Sequence, residues 1–383
     1  MGANYLPAIF LGSAAFAFIN FGLPIYADEI GLDAVVIGGT YTVFMLTVLV
    51  VRPLVGMGLD RFGRRWFFVL AFLFYTAAML VFAQVEGGVD LYIARFVQGL
   101  GASFMWVTAQ TMVADINDAN TRGIGMGKLT THSVRGSMFG AIYGFTLLGF
   151  MPLSQAWAIA FLGYAVVSAL AFLWSLFRVS ETRVVKTEDL SGWVLTPELK
   201  KVFVLVFLTG FASALIEPIY LIYLKNKFDL HLIVLAWVFL PAGIVFAILP
   251  RYSGAWSDKF GRGPVMAIGV LFAGFVSAAL PFWPSLVLIA LSYILFAAGW
   301  AMASPAVDAL VADLAPESAR GRIIGFQEAA AGVGAAFGPL VGGFMYEHVS
   351  PESAFLANGA ILFGTALLAW SWFAPKNAQS LGS

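Results

Sequence analysis

Apolar residues run along this chain in blocks of about twenty, and each block is closed by a short group of charged residues, Gly or Pro. A run of that length crosses a hydrocarbon layer of about 30 Å as an α-helix. The pattern predicts twelve spans. The first half carries them at about 5–27, 34–58, 66–85, 90–114, 125–148 and 154–177. The second half carries them at about 200–224, 231–254, 264–282, 286–312, 323–346 and 352–373. The most polar stretch of the chain, 178–199, lies between the halves. The expected fold is an all-α integral membrane protein, with a six-helix bundle over 1–177, a cytoplasmic linker over 178–199 and a second bundle over 200–383.

Composition removes the soluble alternative. Only 11% of the 383 residues are charged and 61% are hydrophobic, with a mean hydropathy of +0.89. A soluble protein of this size needs far more charge to cover its surface. The first block is followed by no small-residue cleavage site and reads as a retained span. There is no Cys, so disulfides, thiol catalysis and thiolate metal sites are not expected. His132, His231 and His348 lie far apart and suggest no metal cluster.

The basic residues set the orientation. With both termini cytoplasmic, Arg61, Arg64, Arg65, Arg122, Lys128, Arg178, Arg183, Lys186, Lys200, Lys201, Lys259, Arg262, Arg320, Arg322 and Lys376 fall inside. Only Lys225 and Lys227 fall outside, while Arg52, Arg95, Arg135 and Arg251 lie within spans.

The halves repeat. Gly56, Asp60, Arg61, Gly63, Arg64 and Arg65 return 198 positions later as Gly254, Asp258, Lys259, Gly261, Arg262 and Gly263. Asp115 and Arg122 return as Asp313 and Arg320 at the same offset. Two polar loops in one register point to two similar bundles related by an axis along the membrane normal, with a cavity between them.

Gly-x-x-x-Asp-Arg-x-Gly-Arg-Arg at 56–65 resembles the signature loop of the major facilitator superfamily, and the resemblance covers nearly the whole chain. Arg95-x-x-Gln98-Gly99-x-Gly101 is similar to a fourth-helix signature of proton-coupled members, especially drug/proton antiporters. The fifth span lacks the Gly-Pro pair associated with antiporters, and the closer match, Gly334-x-x-x-Gly338-Pro339-x-x-Gly342-Gly343, stands in the eleventh. The resemblance implies a carrier in a bacterial-type cytoplasmic membrane, with Arg95 helping to couple protons to exchange.

The residues themselves suggest several roles. Gly56, Asp60, Arg61, Gly63, Arg64, Arg65, Asp115 and Arg122, with Asp258, Lys259, Arg262, Asp313 and Arg320, form candidate gating networks at the cytoplasmic helix ends. Carboxylates there can meet helix-end N–H groups and arginines, and the glycines allow the turn. Arg95 and Gln98 in the fourth span, and Glu217 beside Pro218 in the seventh, are candidate proton-coupling groups. A charge at that depth is costly unless it faces water or a partner.

Candidate cavity residues are Tyr41, Phe44, Arg135, Phe139, Tyr143, Tyr220, Tyr223, Trp237, Trp300, Phe326 and Glu328. Asp308 is a further ionisable residue within a helix. Gly99, Gly334, Gly338, Pro339, Gly342 and Gly343 are expected to serve helix packing. Trp66, Trp157, Trp193 and Trp283 fit interfacial anchors.

No nucleotide-binding loop, catalytic set or nucleic-acid surface is present in the sequence. The expected function is therefore secondary transport without ATP or cofactor, by one chain acting alone among membrane lipids. Sparse charge and abundant aromatics favour a fairly apolar cargo, and with what the resemblance at Arg95 implies the expected activity is proton-coupled efflux of small hydrophobic or amphipathic compounds by alternating access. The alternatives are a proton-coupled carrier for one metabolite, sugar or lipid-like molecule, and a non-transporting receptor or assembly factor.

Overall fold

The computed structural model describes residues 4–117, 122–182, 195–228, 245, 249, 252–253, 255–315 and 320–374. Those residues are almost entirely helical, with no strand among them. In chain order the helices are α1 (Leu6–Gly12), α2 (Phe16–Glu29), α3 (Ala34–Phe62), α4 (Arg65–Ala83), α5 (Gly88–Ile116) and α6 (Arg122–Phe150). They continue as α7 (Leu153–Arg178), α8 (Pro197–Phe228), α9 (Arg262–Ala279), α10 (Leu286–Leu314), α11 (Arg320–His348) and α12 (Ser353–Phe373). The first expected span is α1 and α2 together, and most of the eighth lies outside the described residues. Among the described residues, 9 helical stretches are long and apolar enough to cross a membrane, so the chain is a multi-pass membrane protein.

The chain divides into two compact units, Met1–Leu190 and Ser191–Ser383. In the first, α4 packs on α5 and α7, α3 packs on α5, and α1 and α2 lie along α6. In the second, α9 packs on α10 and α12, and α8 lies along α11. The repeat is thus carried by packing as well as by loop residues.

The break between α1 and α2 has an identifiable partner. Ser133 on α6 hydrogen-bonds Ser13 across a 2.9 Å Oγ–Oγ contact, and the Ala17 N–H donates to Ser137 Oγ at 3.0 Å. Side-chain hydroxyls entering a backbone ladder are a known cause of helix breaks. Gly136 and Gly140 flank them on the same helix face, where a Cβ would overlap the backbone carbonyls of Phe10 and Ala14. Gly334 and Gly338 do the same in the second unit, where a Cβ would meet the Phe211 backbone in each case, at 2.6 Å from N and 2.6 Å from O respectively. Gly342 faces the Leu215 carbonyl in the same way, and Gly343 is buried beside it. Small residues here let backbones approach where a hydrophobic driving force between helices is lacking.

Two expectations change. Gly56 does not make the loop turn: α3 continues to Phe62, and a Cβ at Gly56 would meet open space. The reversal is made at Gly63 (φ 86°) and repeated at Gly261 (φ 94°), backbone that favours glycine. Trp157 is no interfacial anchor. It is 1% exposed, donates Nε1–H to the Phe82 carbonyl at 2.8 Å and stacks on Tyr26 at 4.0 Å. Its position near a span end on the sequence gave no sign of which way the ring turns. Trp66, in contrast, is exposed, and Trp193 lies outside the described residues.

Candidate functional site

The signature loop of the first unit closes on a buried ion pair. Arg64 Nε lies 2.8 Å from Asp115 Oδ2, with side chains only 7% and 8% exposed. The same guanidinium donates NH1 to the Leu59 carbonyl at 2.8 Å. In the second unit Arg262 Nε meets Asp313 Oδ2 at 3.0 Å, with exposures of 24% and 57%. Arg262 also pairs with Asp258 and donates NH1 to Ser257 Oγ at 3.0 Å. Position 257 is the repeat partner of 59, so a side-chain hydroxyl replaces a backbone carbonyl in one geometry. Arg61 over Phe62 and Lys259 over Phe260, both at 5.3 Å, repeat likewise. The side chains of Asp60, Arg122 and Arg320 lie outside the described residues.

The first copy has a partner that motif spacing did not reveal. Glu181, just beyond α7, accepts the Arg64 N–H at 2.9 and 3.0 Å and the Arg65 N–H at 3.2 Å. A carboxylate on the first N–H groups of α4 satisfies otherwise orphan donors and complements the helix dipole. Arg65 NH2 reaches the Leu176 carbonyl at 2.9 Å, joining α4 to α7. The signal available in sequence was one acid between Arg178 and Arg183, in a stretch that otherwise reads as linker.

Burial separates the two copies energetically. Breaking a buried pair costs about 3–5 kcal/mol, whereas exposed pairs contribute about 0–1 kcal/mol. Arg64→Ala is therefore expected to lower the melting temperature of the purified protein clearly, and Arg262→Ala to leave it nearly unchanged. Equal shifts in thermal unfolding would contradict this asymmetry.

Arg95 lies in α5 with 1% of its surface exposed. Its guanidinium stands 4.3 Å from the Tyr41 ring centroid and 5.3 Å from that of Phe44, both on α3. NH1 donates to Gln98 Oε1 at 3.1 Å, and the Tyr41 hydroxyl donates to the Asn20 carbonyl at 2.9 Å. Gly99 brings α5 close enough for this, since a Cβ there would lie 3.2 Å from the Phe44 carbonyl oxygen and 2.8 Å from Thr47 Cβ. Arg95 and Gln98, singled out as proton-coupling candidates, and Tyr41 and Phe44, singled out as cavity candidates, thus form one enclosure.

The pseudo-equivalent place in the second unit carries different chemistry. Tyr293 occupies the repeat position of Arg95, and Glu217 that of Asn20, by the register in which α8 packs on α11. Glu217 lies within electrostatic reach of Tyr293. Its side chain is exposed, while Ile216, Pro218, Ile219 and Tyr220 are buried. Helical rotation, which span counting ignores, turns this one residue outward.

The remaining cavity candidates do not converge. Tyr220 and Tyr223 pack in the interior against Phe355, at 5.9 and 4.7 Å between centroids. Phe139 and Tyr143 line an apolar groove of about 450 Å³ in the first unit, with Phe10, Gly140 and Tyr164. Arg135 is exposed on α6, and Phe326 is exposed and stacks on Phe203 at 6.3 Å. Trp237 lies outside the described residues.

Trp300 and Glu328 do meet, in a cavity of about 290 Å³ within the second unit, together with Thr209, Ser213, Ser304, Asp308 and Gln327. Gln327 donates Nε2–H to Asp308 Oδ1 at 2.9 Å. Gln327 was hidden in the sequence because a neutral amide in a span stands out far less than a charge.

A sequence profile described as Major Facilitator Superfamily matches residues 5–200 and 202–383. Multidrug resistance protein 1 of Bacillus subtilis (strain 168) is 23% identical, over 98% of this chain and 98% of its own length. Multidrug resistance protein MdtG of Salmonella arizonae is 30% identical, over 94% of this chain and 92% of its own. Among solved structures, a bacterial homolog of the human lysosomal transporter Spinster, captured inward-facing and occupied, superposes with a TM-score of 0.80 at 12% identity. That match covers 96% of this chain and 95% of the other.

Proposed function

This chain belongs to the major facilitator superfamily, and we propose that within it the protein expels small hydrophobic or amphipathic compounds in exchange for protons. Its site is that of a small-molecule transporter of this family. The observation that carries the finer reading is the enclosure of Arg95 by Tyr41, Phe44 and Gln98. A buried guanidinium stays charged and does not readily release its proton. It acts instead as a fixed positive charge held inside the first unit. Relatives named multidrug resistance proteins support the same branch.

Glu217 supplies the group that can exchange a proton. An exposed carboxylate midway along a span needs a wet surface, because lipid contact would cost several kcal/mol (about 2.5–3.5 on insertion scales). In this reading protonated Glu217 belongs to one access state and ionised Glu217 to the other, and substrate access alternates between the two sides of the membrane. The linker 178–199 and both termini are cytoplasmic, the membrane is a bacterial-type cytoplasmic membrane, and one chain suffices.

The test is flux into proteoliposomes under an imposed pH gradient, across a mixed panel of labelled amphiphiles, sugars and metabolites. Several unrelated amphiphiles are expected to move with the gradient. Glu217→Gln is expected to lower gradient-driven flux about tenfold or more while sparing exchange without a gradient, a difference of about 1.4 kcal/mol in the coupled step. Wild-type coupling in that variant would remove Glu217 from the mechanism. The polar cavity of the second unit favours a second reading, a dedicated carrier for one polar substrate, and flux of a single chemical class would select it.

A further inference from the structure

The apolar groove of the first unit offers a polar ligand nothing to bind. Its floor is α1 at Phe10, Leu11 and Ala14, and its walls are α6 and α7. Both hydroxyls in the lining are turned into the protein. Tyr164 donates to the Gly140 carbonyl at 2.7 Å, and Tyr143 donates to that of Ile159 at 3.1 Å. Among the described residues lining the groove none is charged. A space of about 450 Å³ lined in this way fits hydrocarbon.

One end of the groove is basic. On α6, Phe139 shares a helix face with Arg135 and Lys128, and on α7, Val167 shares one with Trp174 and Arg178. The two helices run antiparallel in the register set by the Tyr164–Gly140 hydrogen bond, which brings Lys128 level with Leu176 and close to the level of Arg178. Lys128, Arg135 and Arg178 are all exposed. The backbone at Arg178 is pinned: its carbonyl accepts Asn4 Nδ2–H at 3.2 Å, and Trp174 donates Nε1–H to the Asn4 carbonyl at 2.7 Å. The Arg178 guanidinium stands 5.8 Å from the Trp174 ring centroid.

Arg135 adds a charge at depth. It lies midway along α6, level with Ala169, and so about 13 Å inside the Arg178 end of α7. Among the described residues no carboxylate pairs with it. A charge exposed there is costly unless an opposite charge or water meets it. Helical side chains lean toward the helix N-terminus, which for α6 is the Lys128 end, so the long Arg135 stem runs toward the basic mouth. Val167 stands about 16 Å from Arg178 along α7, and one leaflet of hydrocarbon is about 15 Å deep. A chain whose head sits at the mouth therefore reaches the groove.

We propose that this groove holds one acyl chain of an anionic phospholipid, whose phosphate is drawn to Arg135, Lys128 and Arg178. Hydrocarbon fills the space the lining leaves, and the phosphate supplies the anion that three basic residues attract. An amphiphile with a cationic head would be repelled at the same mouth. The site goes beyond the efflux reading and does not rest on it.

The experiment is native mass spectrometry of the purified full-length chain in detergent, titrated with phosphatidylglycerol and with phosphatidylcholine of identical tails. The first phosphatidylglycerol is expected to bind about tenfold or more tightly than phosphatidylcholine. The double variant Arg135→Gln, Arg178→Gln is expected to bind both lipids alike, at the wild-type level for phosphatidylcholine. Val166→Trp, at an exposed lining position, fills the groove without touching the charges and is expected to weaken both lipids about tenfold. A phosphatidylglycerol with a photoreactive group at its tail end is expected to cross-link within 136–143 or 163–167. Equal wild-type affinity for the two lipids, no retained lipid, affinities unchanged in the variants, or cross-links confined elsewhere would each overturn the site. Binding needs neither gradient nor flux. Lipid selectivity in a protein that moves nothing would therefore sink the efflux reading alone, and proton-driven flux without lipid selectivity would sink only this site.

Discussion

Replacing Arg95 with alanine is expected to reduce proton-gradient-driven efflux by at least about tenfold, with the protein still folded and inserted. The guanidinium makes two desolvated contacts with Tyr41 and Phe44, each worth up to about 2 kcal/mol. At that upper value the two together exceed the roughly 1.4 kcal/mol that corresponds to a factor of ten. Arg95→Lys is expected to recover little. Lysine keeps the charge but loses the planar fork that stacks on a ring and reaches Gln98. Flux under an imposed pH gradient, alongside melting curves of each variant, checks both expectations. If alanine and lysine variants pump like the wild type, Arg95 is a structural brace only.

Introducing leucine at Gly140 or Gly338 is expected to eliminate most folded monomer. A Cβ at Gly140 already overlaps the Ala14 carbonyl, and one at Gly338 lies 2.6 Å from Phe211 O and 2.9 Å from Leu215 N. Ordinary core overpacking costs about 1–3 kcal/mol because side chains can shift. Here the obstacle is backbone of a neighbouring helix, so the whole helix pair must part. The same change at Gly56 or Gly364 meets nothing within 4 Å and is expected to be tolerated. Size-exclusion profiles of the four variants distinguish these outcomes, and similar profiles for all would show that the close approaches do not govern folding.

The repeat was legible because it is local. Asp115 and the signature loop stand in one register with Asp313 and its loop, and the pairs Arg64–Asp115 and Arg262–Asp313 form with matching atoms. Residues at helix ends have little freedom of direction, so spacing alone brings them together. Glu181 escaped notice because its partners are backbone N–H groups, which leave no mark in the sequence. Gln327 escaped because its meaning depends on Asp308, 19 positions away on another helix.

By itself the sequence determined the spans, the two-fold repeat, and the buried character of Arg95. These depend on hydropathy over about twenty residues and on charges too costly to place at random in a span. Only the tertiary structure decided which way each side chain faces. It turned Trp157 into the core, left Glu217 exposed, and set Tyr41 and Phe44 against Arg95. It also placed Phe139 and Tyr143 on an apolar groove, Tyr220 and Tyr223 in a packed interior and Trp300 in an acid-lined cavity. A transmembrane helix that is apolar nearly all round carries little rotational signal, so its orientation is fixed by close contacts at glycines and by hydrogen bonds to neighbouring helices.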